Sequence, residues 1–159
     1  MSFKVEFKNY LDELHKSLCE VSDWMYENPE LGFQEFKTSK HLVDYIQKNS
    51  KSVNYPSHGL ETAFDVTFGD DGPLVVICVE YDALPEIGHA CGHNIIATAS
   101  IGAGLGLKDI ASKLGIRVKL LGTPAEEGGG GKIILINEGA FEDASCSMMI
   151  HPGYEDVVN

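Results

Sequence analysis

The chain has 159 residues, of which 43% are hydrophobic and 23% are charged. These values are typical of one soluble globular domain and exclude a disordered or collagen-like chain. The net charge of −12, from 12 basic and 24 acidic residues, argues against nucleic acid and an anionic membrane surface as partners because both would repel the chain.

Neither an export signal nor a membrane span is predicted. Lys4, Glu6 and Lys8 interrupt the N-terminus before the apolar core of a signal peptide can form. The longest apolar run, Leu74 to Val79, is too short to cross a bilayer. The four cysteines form no CxxC pair, so we expect reduced thiols and a cytoplasmic location.

Two amphipathic helices are predicted in the first third of the chain. Apolar residues recur at steps of three or four from Phe7 to Met25, and Asn28-Pro29 ends this stripe. A second stripe runs from Phe36 to Ile46. We expect both helices to cover a sheet.

Strands alternate with helices in the rest of the chain. The predicted strands are Thr62 to Phe68, Leu74 to Glu80, Arg117 to Leu121 and Ser145 to Ile150. The predicted helices are Ile95 to Lys113, whose glycines permit close packing on the sheet, and Lys132 to Asn137. This order predicts an α/β fold with a largely parallel sheet covered on both faces. Three cysteines that fall within these elements are expected in the core, namely Cys19, Cys78 and Cys146.

Residues able to bind metal or transfer protons follow several predicted strands. Ligands of open α/β sheets bind beyond the carboxyl ends of the strands, so these groups are expected to meet in one crevice. The candidates are Asp82, His89, Cys91, His93, Glu126, Glu127 and His151.

Cys91-Gly92-His93 places a thiol and an imidazole two residues apart. Both could reach one metal ion if Gly92 lets the backbone turn sharply. A helix N-terminus near Cys91 would favour its thiolate. The alternative is a buried cysteine beside a hydrogen-bonded histidine.

Two adjacent carboxylates point apart and could serve as one metal ligand and one general base, which is the pattern in Glu126-Glu127. The alternative for this pair is a solvated acidic turn. His151 is followed by the rigid Pro152, which fixes where the ring points, although a lone histidine at a strand end is often structural. Asp82 could orient a ligating imidazole, or could be a turn residue.

The glycine-rich segments do not predict nucleotide binding. Gly128 to Lys132 reads GGGGK, but Ile133 stands where a phosphate loop needs Ser or Thr and Glu126 stands at its first glycine position. Gly102 to Gly106 is not a GxGxxG motif and lies inside a predicted helix.

Four segments together resemble the metallopeptidase family of aminoacylase-1, carnosinase and the indole-acetyl-amino-acid amidohydrolases. They read EYDALPEIGHACGHN (Glu80–Asn94), GTPAEEGGGGKIILINEGAF (Gly122–Phe141), MMIHP (Met148–Pro152) and NPELGFQEFKTS (Asn28–Ser39). HACGH followed by PAEEGGGG is highly specific, and the resemblance covers nearly the whole chain. The nearest branches are dipeptidases of the Xaa-Arg or β-alanyl-lysine type and p-aminobenzoyl-glutamate hydrolases.

The resemblance implies a zinc-peptidase-like three-layer sandwich with a mostly parallel mixed sheet, and a centre of two divalent metal ions. Zn²⁺ suits the ligands best, with Mn²⁺ or Co²⁺ as alternatives. The implied ligands are Cys91, His93, Glu127 and His151. Glu126 would be the general base, and Glu80 and Asp82 match the acidic strand end of the family. Asn94 replaces an aspartate of many relatives, as it does in the dipeptidase-like branch.

Family members continue into an inserted lid domain that mediates dimerisation, and then return with a final histidine ligand. Residues 1–159 are therefore expected to be the N-terminal portion of a catalytic domain whose lid would form a homodimer. The expected activity is hydrolysis of the amide bond of dipeptides or N-acyl amino acids, with this portion alone weakly active or inactive. A thiol hydrolase with Cys91 as nucleophile and a non-catalytic metal-binding or regulatory module remain as alternatives.

Overall fold

A computed structural model describes residues 2–50 and 53–153 of the chain. The helices are α1 (Phe3–Glu27), α2 (Phe36–Asn49), α3 (His93–Leu107), α4 (Ala111–Leu114) and α5 (Gly131–Asn137). The strands are β1 (Phe64–Phe68), β2 (Leu74–Val79), β3 (Arg117–Gly122) and β4 (Ala144–Met148). No helix in these two ranges is long and apolar enough to cross a membrane.

The four strands form one mixed sheet in the order β1-β3-β2-β4. β2 pairs in parallel with both β3 and β4, whereas β1 pairs antiparallel with β3. The apolar run of β2 therefore occupies a central position, as expected of a strand buried on both faces. Since β2, β3 and β4 run in the same direction, the loops that follow them leave the same edge of the sheet.

Helices cover both faces of the sheet, which confirms the α/β sandwich. On one face α3 contacts β2 and β3, and the core includes Val79, Ile101 and Leu120. On the other face Leu135 of α5 packs in a second cluster with Val76. The expectation that α1 covers the sheet is wrong, because α1 packs mainly on α3 and forms an outer layer.

Glycines in α3 allow the close packing of this helix that the sequence predicts. A Cβ atom at Gly104 would lie 2.5 Å from Cγ of Leu120 on β3. A Cβ atom at Gly106 would lie 2.7 Å from Cε2 of Phe7 on α1. α3 is thus sandwiched between the sheet and α1, with glycines where the neighbours approach.

Several boundaries and cysteine positions differ from the prediction. The expected helix Ile95–Lys113 is divided into α3 and α4 by a turn that buries Ile110. β1 begins two residues later than expected and β4 ends at Met148 rather than Ile150. Cys78 is buried, but Cys19 and Cys146 are exposed, because Cys19 lies on the outer face of α1 and β4 is an edge strand.

Candidate metal centre

The predicted site residues meet where the loops after β2, β3 and β4 leave the sheet. Asp82 follows β2 and is 1% exposed, and His93 begins α3 with the same exposure. The side chains of Glu126 and Glu127, after β3, are 39% and 27% exposed. A buried base of Asp82 and His93 therefore faces two more accessible carboxylates.

The orientation of the His93 ring is determined by Asp82. Nδ1 of His93 lies 2.8 Å from the Asp82 backbone carbonyl oxygen and 3.1 Å from Asp82 Oδ1. A carbonyl oxygen can only accept, so Nδ1 is the donor in this arrangement. In the neutral ring Nε2 then carries a lone pair and no proton, which is the form that binds a metal ion.

The free nitrogen of His93 faces three carboxylates. Its Nε2 atom lies 3.5 Å from Glu80 Oε2, 3.8 Å from Glu126 Oε2 and 3.9 Å from Glu127 Oε1. One ligand atom from each of Glu80, His93 and Glu126 falls within 4.8 Å of the others, close enough to hold a cation. Burial lowers the pKa of His93, but the Asp82 hydrogen bond and the nearby acidic charges outweigh it and raise the pKa overall.

Asp82 links the histidine loop to the glutamate loop. Its Oδ2 atom accepts a hydrogen bond of 2.8 Å from the Glu127 N–H. Burial alone would raise the pKa of Asp82, but the hydrogen bonds from His93 and from the backbone of Glu127 lower it below the ordinary value. Asp82 thus remains ionised and holds two site residues through the two oxygens of one carboxylate.

Cys91 and His151 lie at the open side of the same cluster. The Cys91 thiol hydrogen-bonds to Glu127, and this bond, burial and the acidic neighbours raise its pKa to about 11. The exposed ring of His151 lies edge-on to His93, with 6.3 Å between the ring centroids, and its Nδ1 donates to the Pro152 carbonyl oxygen at 2.8 Å. A cleft lined by Cys91, His151 and Tyr26, among others, opens beside them.

Glu80 is a site residue that the sequence reasoning did not assign. It is 1% exposed, its Oε1 atom pairs with the Lys132 ammonium group of α5, and its Oε2 atom has no hydrogen-bond partner. His93 Nε2 also lacks a partner. Two unpartnered buried atoms of acceptor character, 3.5 Å apart, fit a bound cation. The signal in the sequence was an acidic residue that directly follows the most apolar strand.

Two neighbouring residues face away from the carboxylates. The Asn94 side chain donates to the Ser22 hydroxyl of α1 at 3.0 Å, so it joins α3 to α1. His89 is buried, and neither of its ring nitrogens has a side-chain hydrogen-bond partner. Burial lowers the pKa of His89 and favours its neutral form.

Comparison with curated proteins reveals relatives that are hydrolases. No family model matches the sequence. Mouse (Mus musculus) Xaa-Arg dipeptidase is 39% identical over 92% of this chain and 37% of its own length. A p-aminobenzoyl-glutamate hydrolase from Escherichia coli (strain K12) is 30% identical, in one of its subunits, over 84% of this chain and 32% of the length of that subunit. The chain thus spans about a third to two fifths of the length of these relatives.

Solved structures show the same fold. The Bacillus subtilis YXEP protein, a dinuclear metal binding peptidase from the M20 family, matches with a TM-score of 0.76 and 25% identity. The match covers 86% of this chain and 42% of that protein. These similarities confirm the resemblance of the sequence to metallopeptidases, and they show that the chain is a homologue of part of the M20 dipeptidases and amidohydrolases.

Proposed function

We propose that the protein carrying this chain is a metal-dependent hydrolase of amide bonds in dipeptides or N-acyl amino acids. The observation that carries the proposal is the His93 ring, which Asp82 holds with Nε2 directed at three carboxylates. The names of the relatives support this class of substrate, since they include an Xaa-Arg dipeptidase and a p-aminobenzoyl-glutamate hydrolase.

The residues of the site fit a pair of divalent cations, which we propose as cofactors. The proposed ligands are Cys91, His93, Glu127 and His151. This mixture of thiolate, imidazole and carboxylate favours Zn²⁺, with Mn²⁺ or Co²⁺ as alternatives. Such cations would supply Lewis acidity, which lowers the pKa of water and stabilises an oxyanion. The dinuclear centre of the Bacillus subtilis neighbour supports the number two.

Glu126 is the proposed general base. Its side chain is the most exposed of the acidic groups around His93, and its Oε2 atom lies 3.8 Å from His93 Nε2, so it can reach both the cluster and the solvent. Glu126 takes a proton from the attacking water and returns it to the leaving amine. Asp82 does not exchange protons in this scheme, because its two oxygens are occupied by His93 and the Glu127 N–H.

The surroundings of Cys91 disfavour a thiol hydrolase. A nucleophilic cysteine needs a lowered pKa, whereas the hydrogen bond with Glu127 raises the pKa of Cys91 to about 11. The thiol is therefore protonated near neutral pH in the absence of a cation. A divalent cation would replace this proton, in keeping with a ligand role.

A non-catalytic metal-binding or regulatory module is the second candidate, because the cluster could bind cations without turnover. The 159-residue chain by itself is expected to hydrolyse dipeptides weakly or not at all, since it spans about two fifths of the mouse relative. Homodimerisation and a cytoplasmic location complete the proposal for the whole protein.

Glu126→Gln distinguishes the two candidates. Cation affinity of the 159-residue chain is measured by calorimetry with Zn²⁺ or Co²⁺, and hydrolysis of β-alanyl-lysine is measured on a longer chain that carries this sequence. We expect Glu126→Gln to keep the cation and to lower turnover by about 100- to 10,000-fold. Glu138→Gln, the same change at an exposed residue beside α5, is the matched control. An active Glu126→Gln enzyme contradicts the general base, and a wild-type protein that binds cations but never hydrolyses an amide supports the module.

A further inference from the structure

A buried carboxylate at the start of α2 contacts the turn that carries Glu126 and Glu127. Glu35 is 0% exposed. Its Oε1 atom accepts a hydrogen bond of 2.8 Å from the Ala125 N–H, and its Oε2 atom accepts one of 2.9 Å from the Thr62 hydroxyl. Although Glu35 is the N-cap residue of α2, its side chain does not cap that helix. A buried carboxylate is costly unless hydrogen bonds satisfy it, and here they come from residues far away in the sequence.

The backbone of this turn has an unusual conformation that Glu35 helps to hold. Ala125 has a φ angle of +55°, in the left-handed region that residues other than glycine rarely adopt. The N–H of Ala125 donates to Glu35 and its carbonyl oxygen accepts from the Gly131 N–H at 3.1 Å. Two residues later the Glu127 N–H donates to Asp82. The carboxylates of Glu35 and Asp82 therefore hold the backbone on both sides of Glu126.

The segment that leads to Glu35 packs against the same turn. A Cβ atom at Gly32 would lie 3.0 Å from Ala125 Cα, and a Cβ atom at Gly129 would lie 2.9 Å from Cε2 of Phe33. The carbonyl oxygen of Glu30 accepts a hydrogen bond of 2.8 Å from Ala83, next to Asp82. Residues 30–35 thus contact both loops of the candidate metal centre.

We infer that Glu35 is a positioning residue that sets the place of the Glu126–Glu127 pair opposite His93. The inference rests on the proposed function, which requires these two carboxylates at defined positions. Their side chains are partly exposed, so packing alone does not hold them and their positions follow the backbone of the turn. Loss of the Ala125 contact would let both carboxylates move away from His93 without removing any proposed ligand.

The test compares variants of Glu35 with a control at the same end of α2. Glu35→Ala removes both hydrogen bonds, whereas Glu35→Gln retains an oxygen that can accept from Ala125. Glu30→Gln is the control, because Glu30 Oε2 accepts only from the Thr38 N–H and hydroxyl among the described contacts and does not reach Ala125. The readouts on the 159-residue chain are hydrogen–deuterium exchange of residues 125–129 and Co²⁺ affinity by calorimetry.

We expect Glu35→Ala to weaken Co²⁺ binding by about 10- to 100-fold, as loss of a supporting contact does at metal sites. Exchange at residues 125–129 should accelerate by at least about tenfold through loss of the Ala125 hydrogen bond. Glu35→Gln should restore both quantities to within about threefold of the wild type, because it keeps one acceptor. Glu30→Gln should lower the stability of α2 but leave both quantities unchanged.

Wild-type exchange and Co²⁺ affinity in Glu35→Ala overturn the inference, as does an identical pattern in Glu30→Gln. If Glu35→Ala does not fold, Glu35→Asp replaces it. Its carboxylate is one methylene shorter and cannot span the contacts to Ala125 and Thr62 together, so the same two changes are expected and wild-type values overturn the inference. If the wild type itself binds no Co²⁺, the proposed function fails, while the exchange pattern still decides whether Glu35 holds the turn.

Discussion

Replacement of Asp82 by asparagine tests the orientation of His93 most directly. Asp82 accepts hydrogen bonds from His93 Nδ1 and from the Glu127 N–H through different oxygens. Asparagine has one acceptor oxygen, so only one of these two donors can be satisfied. The other buried donor loses its side-chain partner, which costs about 1–3 kcal/mol of folding free energy. If the amide group of the introduced asparagine donates toward Nδ1, it also competes with the backbone carbonyl for the correct form of the imidazole.

The expected consequence for cation binding follows from the same contacts. Loss of a hydrogen-bond partner behind a ligating histidine weakens metal binding by about 10- to 100-fold, and Asp82→Asn also removes a negative charge beside the site. Calorimetric titration of the 159-residue chain with Zn²⁺ measures this change, and urea unfolding measures the stability. Asp70→Asn serves as the control, because Asp70 also accepts a side-chain hydrogen bond, from Ser112, but at an exposed turn. Unchanged Zn²⁺ affinity in a folded Asp82→Asn protein would refute the role assigned to Asp82.

Three further measurements examine the pKa values and the packing. Because the pKa of Cys91 is raised to about 11, its alkylation by iodoacetamide in the metal-free chain should rise about tenfold per pH unit from neutral to about pH 10; a plateau near neutral pH contradicts the Glu127 contact. Burial lowers the pKa of His41, which stacks on Trp24, so protonation favours unfolding; stability should fall as the pH drops below 6.5, and His41→Phe should reduce this loss in urea titrations at several pH values. Gly104→Ala should destabilise the fold by about 1–3 kcal/mol through the clash with Leu120, less about 1 kcal/mol of gained helix propensity, and an unchanged melting curve contradicts the packing.

Most of the fold was predictable from local patterns. The stripe from Phe7 to Met25 and the apolar run of β2 depend on residues close in sequence, and both elements lie where they were expected. The break between α3 and α4 was not predictable, because it depends on the burial of Ile110. The exposure of Cys146 was missed for a related reason, since a strand sequence does not state whether its strand lies at the edge of the sheet.

The candidate site divides along the same line. Its position after the strands was predictable, because parallel strands bring their carboxyl ends to one edge. The roles of Glu80 and Glu35 were not, since each acts through a residue far along the chain: Glu80 through His93 and Lys132, and Glu35 through Ala125.

The sequence by itself determined the α/β class, the loops that carry the chemistry and the likeness to metallopeptidases, because these follow from periodicity and from short motifs. Only the tertiary structure decided which nitrogen of His93 is free and which carboxylates surround it. The physical reason is that a hydrogen bond such as that of Asp82 to the Glu127 N–H joins atoms 45 residues apart, and no local pattern encodes that distance.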